Sequence, residues 1–370
     1  MNTPQRILFS ESSPNLGGQE LQLLQQMAAL QAHGIATRLT CRPTSRIHQV
    51  ATERGLTVVP VAFRNSLHPP SIATIVRLLH DWQPQAIISH SGHDANICAL
   101  AARIAYLAGL AGHRPRLIRS RTYQPGPPST WSYNHLSDLT LTPSAELRRT
   151  LLAHPRIRPE RIRVLYPGID FERLDHDAQQ ALPAPLTTWL DEHPGPLLVH
   201  AAMLRHEKGH AVMLDVLTRL RAEFPALRYV AAGEGALRAA LEEQVQTRGL
   251  DEQVLFAGLV PNVAALYRRA DVVVMPSLIE PLGMSQSEAL ALGVPVVASR
   301  TGGIPETVEH ERTGLLVTPG DVAGWVTALR LALQQRDNMR AMAQAGRHQI
   351  RQQFSVATNL AQLLEHIASC

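Results

Sequence analysis

Short apolar runs alternate along the first half of the chain with longer stretches in which apolar residues recur every three or four positions. Residues 6–10, RILFS, read as a buried strand followed by a loop that holds Gly17 and Gly18. The next stretch, ELQLLQQMAALQAHG, has helical spacing and stops at Gly34. ATRLTC and LTVVPV are two further strands, SIATIVRLLHDW a helix, AIISH a strand and NICALAARIAYLAG another helix. Strands separated by helices of this length need crossover connections, and such connections build a parallel sheet.

Residues 165–196 break the rhythm with five prolines and many acids and read as a linker. A second alternating series then begins with PLLVHAAML as a strand and AVMLDVLTRLRAEF as a helix. It runs on through LRYVAAG, LRAALEEQVQTRG, VLFAG, VAALYRRA, DVVVMPS, SQSEALALG and VPVVAS to a last long helix from Val322. The expected fold class is α/β, with two Rossmann-like parallel-sheet domains facing each other across a cleft. The first domain covers residues 1–167 and the second 168–350, and residues 351–370 form a C-terminal helix that packs back on the first.

Composition agrees with a folded enzyme-sized chain. At 370 residues there is too much sequence for one ordinary core. A hydrophobic share of 45% with 18% charged residues describes a globular protein rather than a disordered one. No apolar run reaches the ~18 residues of a membrane span, and MNTPQRILFSESSPN lacks a signal peptide's apolar region. Cys41, Cys98 and Cys370 have no metal-type spacing and give no disulfide framework, so the expected compartment is the reducing cytoplasm.

The net charge of +4 conceals an asymmetry. Residues 1–165 hold 18 arginines against 8 acids (18 − 8 = +10), and the remainder holds 17 cations against 23 acids (17 − 23 = −6). A basic half suits an anionic membrane surface, a phosphorylated acceptor or nucleic acid, and six of its arginines fall between Arg148 and Arg163. With 4% aromatic residues there is no interleaving of rings with cations, so no nucleic-acid partner is expected. Thirty-four of the 35 permanent cations are arginine, and the one lysine, Lys208, lies in AMLRHEKGH after a buried strand.

In open parallel sheets ligands lie beyond the carboxyl ends of the strands. That rule selects loops 10–18, 89–95 and 119–128 in the first domain, and 202–210, 232–237, 258–263, 276–288 and 299–306 in the second. The richest is SLIEPLGMSQSEALALG, residues 277–293. Glu280 stands just outside a helix that starts near Met284, and Glu288 one turn inside it. Such a loop turns the amides of residues 282–285 toward a ligand at a helix N-terminus, with a carboxylate on either side to accept from sugar hydroxyls.

This loop and several others together resemble the retaining glycosyltransferases of family four, which have the GT-B fold. The family's E-x7-E mark stands here as EPLGMSQSEA. The likeness extends to GGQE (17–20), PGID (167–170), GEGALRAALEE (233–243), FAGLVPN (256–262), ADVVVMPS (270–277), GVPVVASRTGGIPE (293–306) and TGLLVTPGD (313–321). It is dense in the second half and looser in the first.

The resemblance implies an enzyme that moves a sugar from a nucleotide diphosphate sugar, a UDP-sugar above all, to a hydroxyl of a glycan or lipid-linked acceptor. The first domain then faces the acceptor and the second holds the donor. Where the family has GRLxxxKG, with both cations on the diphosphate, this chain has AMLRHEKG. Lys208 stands at the family lysine, Met203 in place of the arginine, and Arg205 two residues on can serve the same phosphates. Gly17 and Gly18 would let backbone approach the diphosphate, and Val260 would lie against the base. Glu288 would bind the ribose, while Glu280 and the stretch Pro281, Leu282, Gly283 and Met284 would hold the donor sugar. No cofactor and no metal are implied, because the cations carry the diphosphate's charge.

At the end of a first-domain strand, SHSGHDAN offers His90, His93 and Asp94 for sugar or acceptor contact. Two imidazoles at H-x-x-H spacing on a loop make a poor metal set. Relatives with an RTRH stretch carry a histidine where this chain has Thr122, so a histidine role there is in doubt. The overall style resembles bacterial enzymes of lipopolysaccharide and surface-glycan synthesis, cytoplasmic and peripheral on the inner face of the cytoplasmic membrane. Two rivals share the donor site: a GT-B nucleotide-sugar epimerase, and a weakly active or pseudo-glycosyltransferase scaffold. A Rossmann dehydrogenase is disfavoured because no G-x-G-x-x-G follows the first strand.

Overall fold

The computed structural model describes residues 4–122, 126 and 128–369. Part of the 119–128 loop and Cys370 therefore lie outside the described residues. Two compact units divide the chain, one of residues 1–168 with 356–370 and the other of residues 169–355.

The first unit is a seven-stranded sheet of β1 (Arg6–Glu11), β2 (Ala36–Cys41), β3 (Val58–Pro60), β4 (Ala86–Ser89), β5 (Arg116–Ser120), β6 (Leu139–Thr142) and β7 (Ile162–Val164). Their order is β3-β2-β1-β4-β5-β6-β7, and every pairing is parallel. The continuous apolar run of β1 follows from burial on both faces. Ile7 and Phe9 join Leu23, Met27 and Ile88 on one side, while Leu8 joins Ile87, Leu79 and Ala102 on the other. The last helix, Val356–Ala368, belongs to this unit: Leu360, Leu363 and Ile367 enter the same core as Leu23 and Met27. Asn359 accepts from Gln26 Nε2 (2.9 Å) and donates to the Tyr166 carbonyl (2.5 Å). Gly168 lets this helix come close, since a Cβ there would lie 2.8 Å from Val356 Cα.

The second unit repeats the plan with β8 (Leu197–Ala201), β9 (Arg228–Ala232), β10 (Val254–Gly258), β11 (Val272–Met275), β12 (Val296–Ser299) and β13 (Leu315–Val317), ordered β10-β9-β8-β11-β12-β13. These pairings too are all parallel. Leu198, Val272, Val274 and Val297 pack with Leu214, Leu217, Trp325 and Leu329 from two covering helices. In each unit the chain order reverses beside the first strand, which is where a doubly wound sheet leaves room for a ligand.

Three sequence expectations change. Residues 165–196 are no bare linker: helices Phe171–Asp177 and Ala184–Glu192 form there. Asp170 caps the first by accepting from Arg173 N (3.0 Å). Pro183 and Pro185 sit at the start of the second, where a missing N–H costs nothing. The long helix from Val322 is three helices, Val322–Gln334, Arg336–Gln353 and Val356–Ala368, broken at Gln335 and again at residues 354–355. The structure also adds β5, β6, β7, β13 and the helix Arg46–Glu53. All are short, and polar residues in RLIRS, LTLT and IRV interrupt the apolar runs that mark a strand.

Candidate functional site

At the end of β8 the chain runs through a loop whose side chains alternate. Met203 is exposed, Leu204 is fully buried and Arg205 is exposed again in extended backbone. Leu204 is thus the residue of the three that turns into the core. Leu204 N bonds the Glu234 carbonyl (3.0 Å), and Leu237 N bonds the Leu204 carbonyl (3.2 Å). Glycines at 233 and 235 make this approach feasible, since a Cβ on either would lie 2.0 or 2.3 Å from the Ala202 or Leu204 carbonyl oxygen. Arg205 has one loose ionic contact, at 3.9 Å from Glu207.

A single tight turn, His206–Lys208, then aims Lys208 at the loop after β11. Lys208 Nζ donates to Glu280 Oε2 at 2.6 Å, and Ser277 Oγ donates to the same oxygen at 3.1 Å. Glu280 and Ser277 are buried and Lys208 is half-buried. Backbone bonds hold the two loops together, from Leu278 N (2.8 Å) and Ile279 N (3.4 Å) to the Glu207 carbonyl. Gly302 (φ 51°) passes so close beneath Glu280 that a Cβ would lie 1.7 Å from its carbonyl oxygen.

Beyond Glu280, Leu282 and Gly283 are buried, and Pro281 and Met284 half-buried. Gln286, with no exposed surface, donates to the carbonyls of Leu282 and Gly283 (both 2.8 Å) and so fixes the loop's curvature. Ser285 Oγ ties the start of the helix Ser285–Ala291 to the Ala201 carbonyl (2.7 Å). Glu288 lies on that helix, half-buried, with the Tyr267 hydroxyl bonded to its carboxyl. Burial pushes the Glu288 carboxyl up from 4.5 to about 7, and the Tyr267 bond works against that rise.

A carboxyl whose folded pKa is raised favours the fold in its protonated form, so its contribution is lost as pH rises from about 4.5 through about 7. Glu288→Gln, which cannot ionise, is expected to melt above the parent at pH 8 and level with it near pH 4.5. Thermal melts at the two pH values check this, and a lower melting temperature at pH 8 would contradict it. Val260 is half-buried on the loop after β10, beside the exposed Leu259.

In the first unit Gly17 caps the helix Gly18–Ala32, and its N–H donates to Glu20 Oε2 (2.7 Å). A Cβ on Gly18 would meet no protein atom within 4 Å. The protein's own packing therefore does not require glycine there. His90, His93 and Asp94 are not brought together on one surface. His90 is buried against Phe9, and burial lowers its imidazole to about 4. Asp94 is fully buried, and both its oxygens accept backbone amides, from His90 (3.1 Å) and Ser91 (3.0 Å). His93 is on the outside, bonded to Ser66 Oγ (2.8 Å).

Sequence reasoning passed over Glu11, which is buried at the end of β1. It accepts from Ser13 N (2.7 Å), Gln19 Nε2 (2.6 Å) and Ser91 Oγ. Thr122 in turn bonds Gln19, so the ends of β1, β4 and β5 share one polar network. A lone glutamate after an apolar run carries no signal for this. Ser277, Gln286 and Tyr267 were likewise read only as parts of motifs or helices.

Three of the six arginines between 148 and 163, Arg148, Arg161 and Arg163, are half-buried and turn onto the protein itself, while Arg149, Arg156 and Arg158 are exposed. Arg148 and Arg161 donate to the Ile162 (2.9 Å) and Ser137 (2.7 Å) carbonyls, Arg163 to Ser369 Oγ (2.5 Å), and Arg149 pairs with Glu146. The tract is thus half structural and half exposed. Among the described residues no helix is long and apolar enough to cross a membrane.

Residues 16–173 match the family model for Glycosyltransferase Family 4, and residues 190–349 match that for Glycosyl transferases group 1. A sulfoquinovosyl transferase of Arabidopsis thaliana is 28% identical over 77% of this chain and 56% of its own length. A 2-deoxystreptamine glucosyltransferase of Streptomyces kanamyceticus is 26% identical over 88% of this chain and 86% of its own. The chain thus spans little more than half of the first of these relatives. An Anabaena protein, HepE, solved in complex with UDP, superposes with a TM-score of 0.84 at 22% identity, covering 99% of this chain and 100% of that one. Two parallel-sheet units whose first six strands share one order, with a family match across each, lead to one conclusion: the chain has the GT-B fold and joins a domain of the Glycosyltransferase Family 4 type to one of the Glycosyl transferases group 1 type.

Proposed function

We propose that the protein transfers a sugar, with retention of anomeric configuration, from a nucleotide diphosphate sugar to an acceptor hydroxyl. The observation that carries this reading is the partly buried Lys208–Glu280 contact (2.6 Å) at the carboxyl ends of β8 and β11, with Arg205 exposed beside it. The donor's diphosphate would lie against Lys208 and Arg205, and its sugar against Glu280 and the 281–284 loop. Glu288 would take the ribose, and Val260 would rest on the base.

In this reaction the bond between the anomeric carbon and the diphosphate oxygen breaks as the acceptor oxygen bonds the same face of that carbon. The acceptor's proton passes to the departing phosphate oxygen, and a nucleoside diphosphate leaves. The protein's main task is then to stabilise charge building on that leaving group, which fixed cations do well in a partly dry site.

A UDP-sugar is the donor we favour, because HepE was solved with UDP, with UDP and glucose, and with UDP-glucose. A glycan or lipid-linked acceptor, of the kind used to build bacterial surface polysaccharide, completes the proposal. Incubation with a panel of nucleotide sugars, read by nucleoside diphosphate release, tests it. UDP release from one sugar, stimulated by an acceptor and unaffected by chelator, is expected. Donor consumed without any acceptor, and with no hydrolysis product, would point to the epimerase. No turnover and no nucleotide binding would point to the scaffold.

A further inference from the structure

Beneath the Met203–Lys208 loop lie three buried polar rings that the proposed reaction does not use. His200 on β8 and Tyr229 on β9 have no exposed surface, and His210, the residue after Gly209, is 2% exposed. The two imidazoles stack with centroids 4.1 Å apart. His200 Nδ1 lies 2.8 Å from the Tyr229 hydroxyl, and His210 Nδ1 lies 3.1 Å from it on another side. His210 Nε2 lies 3.2 Å from the Met203 carbonyl oxygen.

Hydrogen-bond valence fixes every proton in this chain. A carbonyl only accepts, so His210 Nε2 carries hydrogen. Burial holds His210 neutral, with its pKa down at about 4, so its Nδ1 is a bare lone pair. That lone pair must accept from Tyr229, whose single O–H is then committed. The Tyr229 oxygen can therefore only accept at its other contact, and His200 must donate from Nδ1. The proton direction runs from His200 to Tyr229, from Tyr229 to His210, and from His210 to Met203. His200 Nε2 is left with no partner, as suits a lone pair rather than an N–H.

The chain ends on an atom of consequence. The Met203 carbonyl also accepts from Arg205 N (2.8 Å), so it is the pivot of the tight turn that presents Arg205. Lys208 N in turn bonds the Arg205 carbonyl (3.0 Å). Holding one carbonyl therefore holds the geometry of both cations.

We propose that His210 is a positioning residue: oriented by Tyr229 and His200, it donates from Nε2 to the Met203 carbonyl and so presets the Arg205–Lys208 turn for a diphosphate. Residue 203 then contributes through its backbone, which accounts for a methionine side chain at that point. The inference rests on the diphosphate reading of that turn, and its test separates the two.

The first arm needs no activity. A two-bond proton–nitrogen correlation spectrum of the imidazoles, assigned with His200→Gln and His210→Gln, should show His200 protonated on Nδ1 and His210 on Nε2. The reverse pair, or a charged ring at neutral pH, overturns the proposal whatever the enzyme does. In the second arm, UDP binding is measured by calorimetry on the whole chain. His210→Leu should bind UDP about tenfold more weakly, as expected for one lost buried hydrogen bond at the pivot. His210→Gln, whose amide can still donate to the carbonyl, should recover most of the loss. Tyr229→Phe, which keeps the ring and removes the hydroxyl, should fall between them. Equal UDP affinity in the parent and His210→Leu, both folded by thermal melt, overturns the proposal. So does a loss that His210→Gln shares in full, since that would be a packing effect. If the parent itself fails to bind UDP, the diphosphate reading falls, and the spectrum alone then decides the hydrogen-bond chain.

Discussion

Lys208→Ala is expected to lower turnover about 30- to 1000-fold, the equivalent of roughly 2 to 4 kcal/mol of stabilisation at the leaving diphosphate. The lysine stands on a turn fixed to two neighbouring loops, so its ammonium arrives in place before the reaction and pays little in reorganisation. Lys208→Arg is not expected to restore full activity. Glu280 Oε2 receives a compact ammonium at 2.6 Å in a site where the carboxylate is 6% exposed, and a planar guanidinium needs more width. Arg205→Ala should also lower turnover, because Arg205 is exposed beside the turn that carries Lys208 and replaces a cation that Met203 does not supply. The two losses should be less than additive, since both cations act on one pair of phosphates. Steady-state rates of the two single variants and the double variant check all three points. An inert Arg205→Ala combined with a gain from Met203→Arg would mean that this chain works with one phosphate cation.

Glu280→Ala should reduce turnover by a comparable factor, about 100-fold or more, while UDP affinity changes much less. Its carboxylate organises the site from below, accepting from Lys208 and from the buried Ser277 hydroxyl. Removing it takes away the carboxylate proposed to meet the donor sugar, where charge develops, and leaves a half-buried ammonium without its partner. Glu280→Gln, which keeps the volume, separates that loss from simple misfolding. Glu288→Ala should show the opposite split, with weaker UDP binding and a smaller change in turnover, because it lies on the helix behind the loop and bonds Tyr267. Rates and calorimetric affinities measured on the same preparations decide the matter. Unchanged turnover in Glu280→Ala would remove it from the reaction.

Much of the architecture was legible in the sequence because burial leaves a periodic mark. The run RILFS, the helical spacing after Gly18 and the repetition of that plan after residue 196 specify parallel sheets, because crossover connections between successive strands make them parallel, whereas the strand orders came from the structure. The candidate site was legible where residue types are rare. A lone lysine among arginines and two glutamates across a Pro-x-Gly turn carry information that one more leucine does not. Short strands such as LTLT and IRV were hidden because a three- or four-residue element is too brief for a period to emerge.

The sequence by itself determined the two-domain α/β plan, the loops to inspect and the chemical types at 205, 208, 280 and 288. Only the tertiary structure decided which of them meet. The Lys208–Glu280 contact spans 72 positions, and the loops that form it are joined by backbone bonds to Glu207 that no side-chain pattern encodes. The same holds for His90, His93 and Asp94, neighbours in sequence that the fold sends to a core, an outer surface and a helix cap. It holds again for His200, Tyr229 and His210, scattered over two strands and a helix start yet joined in one hydrogen-bonded chain. Local pattern reports what each segment buries, whereas buried polar groups must find partners wherever the fold puts them, and that pairing is a property of three dimensions.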